Sequence, residues 1–482
     1  MKQSSNKGNS ITASMIYKTA ERYVVMLFQM AVQIVIARLL SPDEYGVVAM
    51  MTVFISVSTI FIQNGFNMAL VQKKNADSKD YETALSINLI IGISLYIILL
   101  LSTSFIADFY HQPLINDYLP VLGLLLVFGA VNSIQIAIAN RKMMFKNLFR
   151  CNVVSNVLSG ILGILSALLG LGVWSLIIQQ LSASIILSIM LFLQQHWTPK
   201  IGIDRQSAKA MFSFGWKMLV AGLINQLYNQ LNHLVIGRKY TSSDLAFYSK
   251  GNQFPHFVTS GLDVSIGSVI YSALAKQQDN YSGLHHLMRK TMVMNSYLVF
   301  PALAVLAMAA KPLTIILLTE KWLPLVPFMQ ICCLTCAFHP VASVQMQALA
   351  AIGRSDMRLK LEFIKKPVGI ILLLLAINYG PFGIAVSAAI TSIFSLIVGA
   401  ISCRYIVKYS YRNTISDMSP AFFFTILSMV GMFLVSGLFS NVFAQFVVIS
   451  STGVSIYIIL SFVFQPNGFV ILKDKLLKRK SE

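Results

Sequence analysis

The sequence predicts an all-α polytopic membrane protein of about 14 transmembrane helices, built as two related six-helix lobes followed by two C-terminal helices. Three observations carry that expectation: a succession of apolar runs of spanning length, Lys and Arg gathered in alternate gaps, and an internal repeat at an offset of 200 residues.

A helix needs about 20 apolar residues to cross the roughly 30 Å hydrocarbon core. The backbone must satisfy its own hydrogen bonds there, so long apolar runs are helices. In chain order they lie at 16–36, 46–66, 84–105, 118–139, 152–170, 173–193, 213–236, 251–272, 291–310, 327–350, 367–379, 382–403, 418–438 and 443–464, the eleventh being short. Composition agrees, with 56% hydrophobic and 11% charged residues, against about 25% charged in an average soluble domain. The polar stretch 1–10 leads into the first run without a small-residue cleavage site, so that run reads as a retained helix rather than a signal peptide.

The formal charge of +19 is mostly topological. With the N-terminus in the cytoplasm, the outside gaps hold only Arg38, Arg238, Lys239, Lys250, Lys311 and Lys321. The clusters Arg141, Lys142, Lys146, Arg150 and Arg354, Arg358, Lys360, Lys365, Lys366 fall inside. That asymmetry places both termini in the cytoplasm. It makes anionic membrane lipids the expected partner of the basic loops, and no nucleic acid is expected.

Residues 35–46 read V-I-A-R-L-L-S-P-D-E-Y-G, and 235–246 read V-I-G-R-K-Y-T-S-S-D-L-A. Both close a helix with V-I-small-Arg, then place a hydroxyl residue, an acid and a small residue at the start of the next. Asn140-Arg141-Lys142 echoes Gly353-Arg354-Ser355, and Gly170-Leu171-Gly172-Val173 echoes Gly380-Pro381-Phe382-Gly383-Ile384. The chain therefore divides into an N-lobe at 1–200, a C-lobe at 201–412, and the last two helices with a basic tail at 413–482. Six helices return the chain to its starting side, so the repeat is parallel, about an axis along the membrane normal.

Several spans carry polar groups in stripes. Span one has Lys18, Glu21, Arg22, Gln29 and Gln33 on one face. Span seven gathers Asn225, Gln226, Asn229, Gln230, Asn232 and His233 on one side. Span eight has Asn252, His256, Ser260 and Asp263, and span two ends with Gln63, Asn64 and Asn67. A charge at the bilayer centre costs at least about 2.5–3.5 kcal/mol, so such faces should look into a water-filled cavity or toward one another. Two readings stand for most of them. Lys18 and Arg22 either line a cavity or snorkel to the interface, with Glu21 neutralising Lys18. The amides of span seven either line the cavity or bond neighbouring helices. Arg38 and Arg238 are either cations favourable at helix C-termini, paired with Asp43 or Asp244, or a rim for an anionic substrate. His339-Pro340 reads as a helix kink.

Other chemistry is excluded. Cys332, Cys333 and Cys336 form a CCxxC, but no second Cys or His pair stands at zinc-site spacing. They read as small apolar thiols, and no metal or cofactor is expected. No Walker-type loop, H-E-x-x-H or G-x-S-x-G occurs, so no catalytic residues are expected and ATP hydrolysis is excluded.

The stretch 37–46, Gly65-Phe66 with Ala69-Leu70-Val71-Gln72, and Ala273-Leu274-Ala275 closing span eight resemble the Wzx-type polysaccharide flippases, within them the WzxC-like lipopolysaccharide or exopolysaccharide export branch. Their superfamily also holds the lipid II flippases and the multidrug and toxin extruders. The resemblance covers the whole chain. It implies a bacterial inner-membrane protein, not an enzyme, that moves an undecaprenyl-pyrophosphate-linked oligosaccharide to the periplasmic leaflet by alternating access, with a polymerase and glycosyltransferases as partners. It also implies that spans one, two, seven and eight line a cationic cavity. Lys18, Arg22 and Lys217 suit the pyrophosphate, and Asn225, Asn229, Gln230 and Asn252, with His233 and His256 beside them, suit the sugars. Glu21 and Asp263 are the candidates for ion coupling, and Arg38 and Arg238 for the periplasmic rim. The competing expectations are a cation-coupled multidrug extruder on the same scaffold and a non-transporting scaffold for synthesis enzymes.

Overall fold

The computed structural model describes residues 24–63, 70, 77–195, 200–275 and 280–478, the side chains of 210, 214, 261–273, 275, 355, 358 and 475–478 excepted. Among the described residues the chain is helical, with short turns and no strand. In order the helices are α1 (Val24–Leu39), α2 (Pro42–Gln63), α3 (Ser78–Leu101), α4 (Thr103–Tyr110), α5 (Ile115–Leu122), α6 (Leu124–Arg141), α7 (Phe145–Leu168), α8 (Val173–Gln195), α9 (Arg205–Lys239) and α10 (Ser242–Ala275). They continue as α11 (Tyr281–Met308), α12 (Ala310–Leu318), α13 (Val326–Ala351), α14 (Ser355–Ala376), α15 (Gly380–Ile406), α16 (Tyr411–Ser436), α17 (Val442–Phe464) and α18 (Asn467–Lys478).

By length and composition, 10 of the described helices can cross a membrane, where the apolar runs predict about fourteen. The difference has three sources. The first half of span one lies outside the described residues, which leaves α1 short. The helix α9 is 35 residues long, but its polar stripe and terminal charges dilute its apolar surface, and in α10 the apolar stretch 261–273 belongs to the residues whose side chains are not described. Finally, α14 and α15 meet through a single 3₁₀ turn at Ile377–Tyr379 and form one apolar run of 48 residues.

The chain forms two compact units, Met1–Ala246 and Phe247–Glu482. In the first, Ala84 and Leu85 of α3 pack with Ile134, Ala137 and Ile138 of α6, and with Leu70 and Met211. The entry to α9 is fixed to α3 by the backbone: Gly202 N–H donates to Ser86 Oγ at 3.0 Å and Asp204 N–H to Thr83 Oγ1 at 3.0 Å. Asp204 caps α9 by accepting from Ser207 N–H at 2.8 Å. That bond holds its carboxyl below the usual carboxylate range.

In the second unit the main core joins Leu274 of α10, Met288, Met292 and Phe300 of α11, Val341 and Val344 of α13, Cys403 of α15 and Met418 of α16. Here Arg289 Nε donates to Asp417 Oδ1 at 2.9 Å, and the Tyr409 hydroxyl donates to Asp417 Oδ2. Tyr297 bonds Ser461 Oγ at 2.9 Å and so holds α17 to α11.

The turns bear the marks of duplication. Ser41 and Glu44 form a capping box at the start of α2: Ser41 N–H donates to Glu44 Oε2 at 2.6 Å, and Glu44 N–H to Ser41 Oγ at 3.3 Å. Thr241 and Asp244 repeat it at the start of α10, at 3.1 Å for both bonds. A second match lies three residues from where the sequence comparison set it. The left-handed residue that ends α6 is Met143 (φ 56°), and the one that ends α13 is Gly353 (φ 76°), 210 positions later. Both turns close with the same pair of backbone bonds. Arg141 thus belongs to the last turn of α6, whereas Arg354 precedes α14, and their likeness is not positional. Gly170 (φ 76°) and Gly380 (φ 81°) stand at the same spacing of 210. At the expected kink of His339-Pro340, α13 continues as one helix with Pro340 inside it.

Candidate functional site

The polar stripes resolve into three kinds of surface. The first is interhelical bonding. Gln29 Nε2 donates to Asn156 Oδ1 of α7 at 2.7 Å, and Gln33 Nε2 donates to Gln179 Oε1 of α8 at 3.0 Å. Tyr45 OH donates to the Gln33 carbonyl at 3.2 Å. These two glutamines of the span-one stripe therefore fasten α1 to its neighbours, with Gln29 still exposed beside its bond. Period alone locates a face; it does not name what covers it. Gln33→Leu should lower the stability of the detergent-purified protein by about 1–2 kcal/mol, because Gln179 loses its donor in a nearly water-free place. A melting temperature equal to wild type would show that the pair contributes nothing.

The second kind is the face of α9. Trp216, Val220, Ile224 and Leu227 are exposed and, at about 100° per residue, fall within roughly 80° of one another. Asn225 and Asn229 are exposed on the opposite side, with His233 half-buried near them and Lys217 exposed at the border of the apolar strip. Gln230 is half-buried and donates to Ser56 Oγ of α2 at 3.0 Å. The helix thus shows one apolar and one amide-rich accessible face.

The third is the pair of turns around Arg38 and Arg238. Arg38 is exposed at the end of α1. Asp43 Oδ1 accepts from Ser242 Oγ at 2.8 Å, so the two duplicated turns touch. The expected pairing of Arg238 with Asp244 is replaced: Asp244 serves its own cap, while Arg238 meets the His111 ring and lies 5.4 Å over the Phe109 ring centroid. His111 reaches that place because it ends α4 in the left-handed region.

In the second unit Asn252 is half-buried and His256 exposed on α10. Lys250, which the sequence leaves as an ordinary cation of an outside gap, is buried and donates to Gln253 Oε1 at 3.2 Å. Lys18, Glu21, Arg22, Asn64 and Asn67 lie outside the described residues, as does the side chain of Asp263.

A multi-pass bundle of helices, with an accessible amide-bearing face on a long helix too polar for lipid on all sides, has the build of a membrane transporter. The chain belongs to the polysaccharide biosynthesis protein family, whose model matches residues 35–327. It is similar to the teichuronic acid biosynthesis protein TuaB of Bacillus subtilis, at 22% identity over 76% of each chain. It is also similar to the lipopolysaccharide biosynthesis protein WzxC of Escherichia coli, at 21% identity over 82% of this chain and 81% of the relative. Among solved structures it shares the fold of the lipid II flippase MurJ in an inward closed conformation. The TM-score is 0.78 at 16% identity, covering 93% of this chain and 98% of that one.

Proposed function

We propose that this protein moves an undecaprenyl-pyrophosphate-linked oligosaccharide repeat unit from the cytoplasmic to the periplasmic leaflet of a bacterial inner membrane, for surface polysaccharide biosynthesis. The family match along 35–327 carries the reading. The two-faced surface of α9 supports it physically, since a glycan needs hydrogen-bonding amides in a bundle whose outer surface stays apolar.

The residues divide the work by chemistry. The pyrophosphate is an anion that must leave water, so it requires paired cations in a low-dielectric cavity; Lys18, Arg22 and Lys217 supply them. Asn225, Asn229, Gln230 and Asn252 offer donors and acceptors to sugar hydroxyls, flanked by His233 and His256. Arg38 and Arg238 form the rim at the periplasmic side. The lipid tail remains in the bilayer through a lateral opening. The lobes 1–200 and 201–412 alternate access, driven by an ion that binds at Glu21 or Asp263. Both termini are cytoplasmic, where glycosyltransferases make the substrate, and a periplasmic polymerase consumes it.

The test is deletion of the gene in its host, with lipid-linked oligosaccharide assayed by leaflet and surface polysaccharide by composition. Accumulation on the cytoplasmic face with loss of surface glycan is the expected outcome, restored by the wild-type chain. The double variant Lys18→Ala with Arg22→Ala should restore at least about tenfold less export, as expected when charge-assisted bonds to a pyrophosphate are lost. Normal surface glycan together with altered dye or drug retention would overturn the reading in favour of the extruder.

A further inference from the structure

We propose that Cys332, Cys336 and His256 form a binding site for a divalent d¹⁰ cation of the Zn²⁺ class, bridging α13 and α10. The sequence shows a CCxxC without partners; the fold supplies one from 80 positions earlier. Cys332 Sγ and Cys336 Sγ lie 3.7 Å apart, and Cys336 Sγ lies 3.9 Å from His256 Nδ1. All three donor atoms fall within 4.8 Å of one another. A tetrahedral ion with Zn–S bonds near 2.3 Å and Zn–N bonds near 2.0–2.1 Å places its donors about 3.5–3.8 Å apart. The two sulfurs already have that spacing, and the imidazole must close by a few tenths of an ångström toward Cys336 and by up to about 1.2 Å toward Cys332.

The surroundings match this chemistry. Cys332 and Cys336 stand at i and i+4, on one face of α13, and both are buried, whereas His256 is exposed and gives an ion its route of entry. Cys333, one residue round the helix, points about 100° away and is no part of the set. His339 follows Cys336 on the same face and is exposed but stands outside the group of donors within 4.8 Å, which leaves the fourth position to water. Pro340 has no N–H to give the Cys336 carbonyl, which loosens the helix at the very residue that must adjust. Binding breaks two S–H bonds, forms two Zn–S bonds and releases two protons to water. Two thiolates with a neutral imidazole balance the double positive charge, the condition for holding an ion in a low-dielectric place. The same set would suit Cu⁺ less well, because it would leave a net negative charge buried.

The inference does not depend on what the protein transports. Full-length protein in detergent, stripped by chelator, is titrated with Zn²⁺ and with Co²⁺ as a spectroscopic probe. One equivalent should bind, with a sulfur-to-cobalt charge-transfer band, and X-ray absorption of the zinc form should show two sulfurs at about 2.3 Å. Cys332→Ala with Cys336→Ala should abolish that signal. His256→Ala should weaken binding about tenfold or more, and Cys333→Ala should leave it intact. A zinc shell of nitrogen and oxygen only, failure to bind in the micromolar range, or equal binding by the double variant would each overturn the site. The wild-type spectra decide the matter even if the double variant does not fold.

Discussion

Gly46→Ala is expected to destabilise the protein by about 3 kcal/mol or more, near or beyond the upper end of ordinary overpacking. A β-carbon at Gly46 would lie 1.9 Å from the Ser242 carbonyl oxygen, 2.3 Å from its carbon and 2.8 Å from its Cα. Those are backbone atoms at the start of α10, so no side-chain rotation makes room. Ser242 is also tied to that same turn of α2, since its hydroxyl donates to Asp43. The methyl group must therefore push apart the two duplicated turns, not merely crowd them. Gly129→Ala provides the control: its β-carbon meets nothing within 4 Å, and alanine is the better helix former. It should melt at or slightly above the wild-type temperature. Equal melting of Gly46→Ala and wild type, followed by tryptophan fluorescence in detergent, would mean that the turns do not touch.

The second large effect is expected at Asp417. Its side chain is 2% exposed, against 56% for Arg289. Asp417→Ala removes the acceptor of both Arg289 and the buried Tyr409 hydroxyl. Because the guanidinium can regain water, the loss falls below that of a fully buried pair, at about 2–3 kcal/mol. Arg289→Ala should cost at least as much, since it strands the buried carboxylate beside Tyr409. The double variant should recover part of the sum, and the coupling read from the cycle measures the pair. Strict additivity of the two single changes would show that Arg289 and Asp417 act separately. The bonds join α11 to α16, so this cluster secures the first of the two C-terminal helices to its unit.

Much of this architecture was legible because its causes are local. A run of apolar residues becomes a helix wherever water is absent, and the expected runs fall on described helices from residue 24 onward, with 10 spans long and apolar enough to cross a membrane. The repeated hydroxyl-then-acid pattern at 41–44 and 241–244 was readable too, and the two capping boxes are what it builds. What the sequence could not show is which residue covers which. Gln29 and Gln33 share a stripe with Lys18 and Arg22, yet their partners Asn156 and Gln179 lie more than a hundred residues away. His256 and Cys336 are similarly remote, so a half-site on α13 looked incomplete. The match of Arg141 with Arg354 failed for another reason: side-chain likeness was compared where the backbone conformation is what repeats. Lys18, Glu21 and Arg22 rest on the resemblance and on periodicity alone.

The turn that ends α6 and the turn that ends α13 have the same backbone, but one holds methionine where the other holds glycine. A left-handed conformation costs an L-residue about 1–2 kcal/mol relative to glycine. The turn at Gly353 thus shows which residue would relax the turn at Met143. Wherever two turns of this chain share a shape, the less comfortable one can be rewritten from its twin, with no outside template needed.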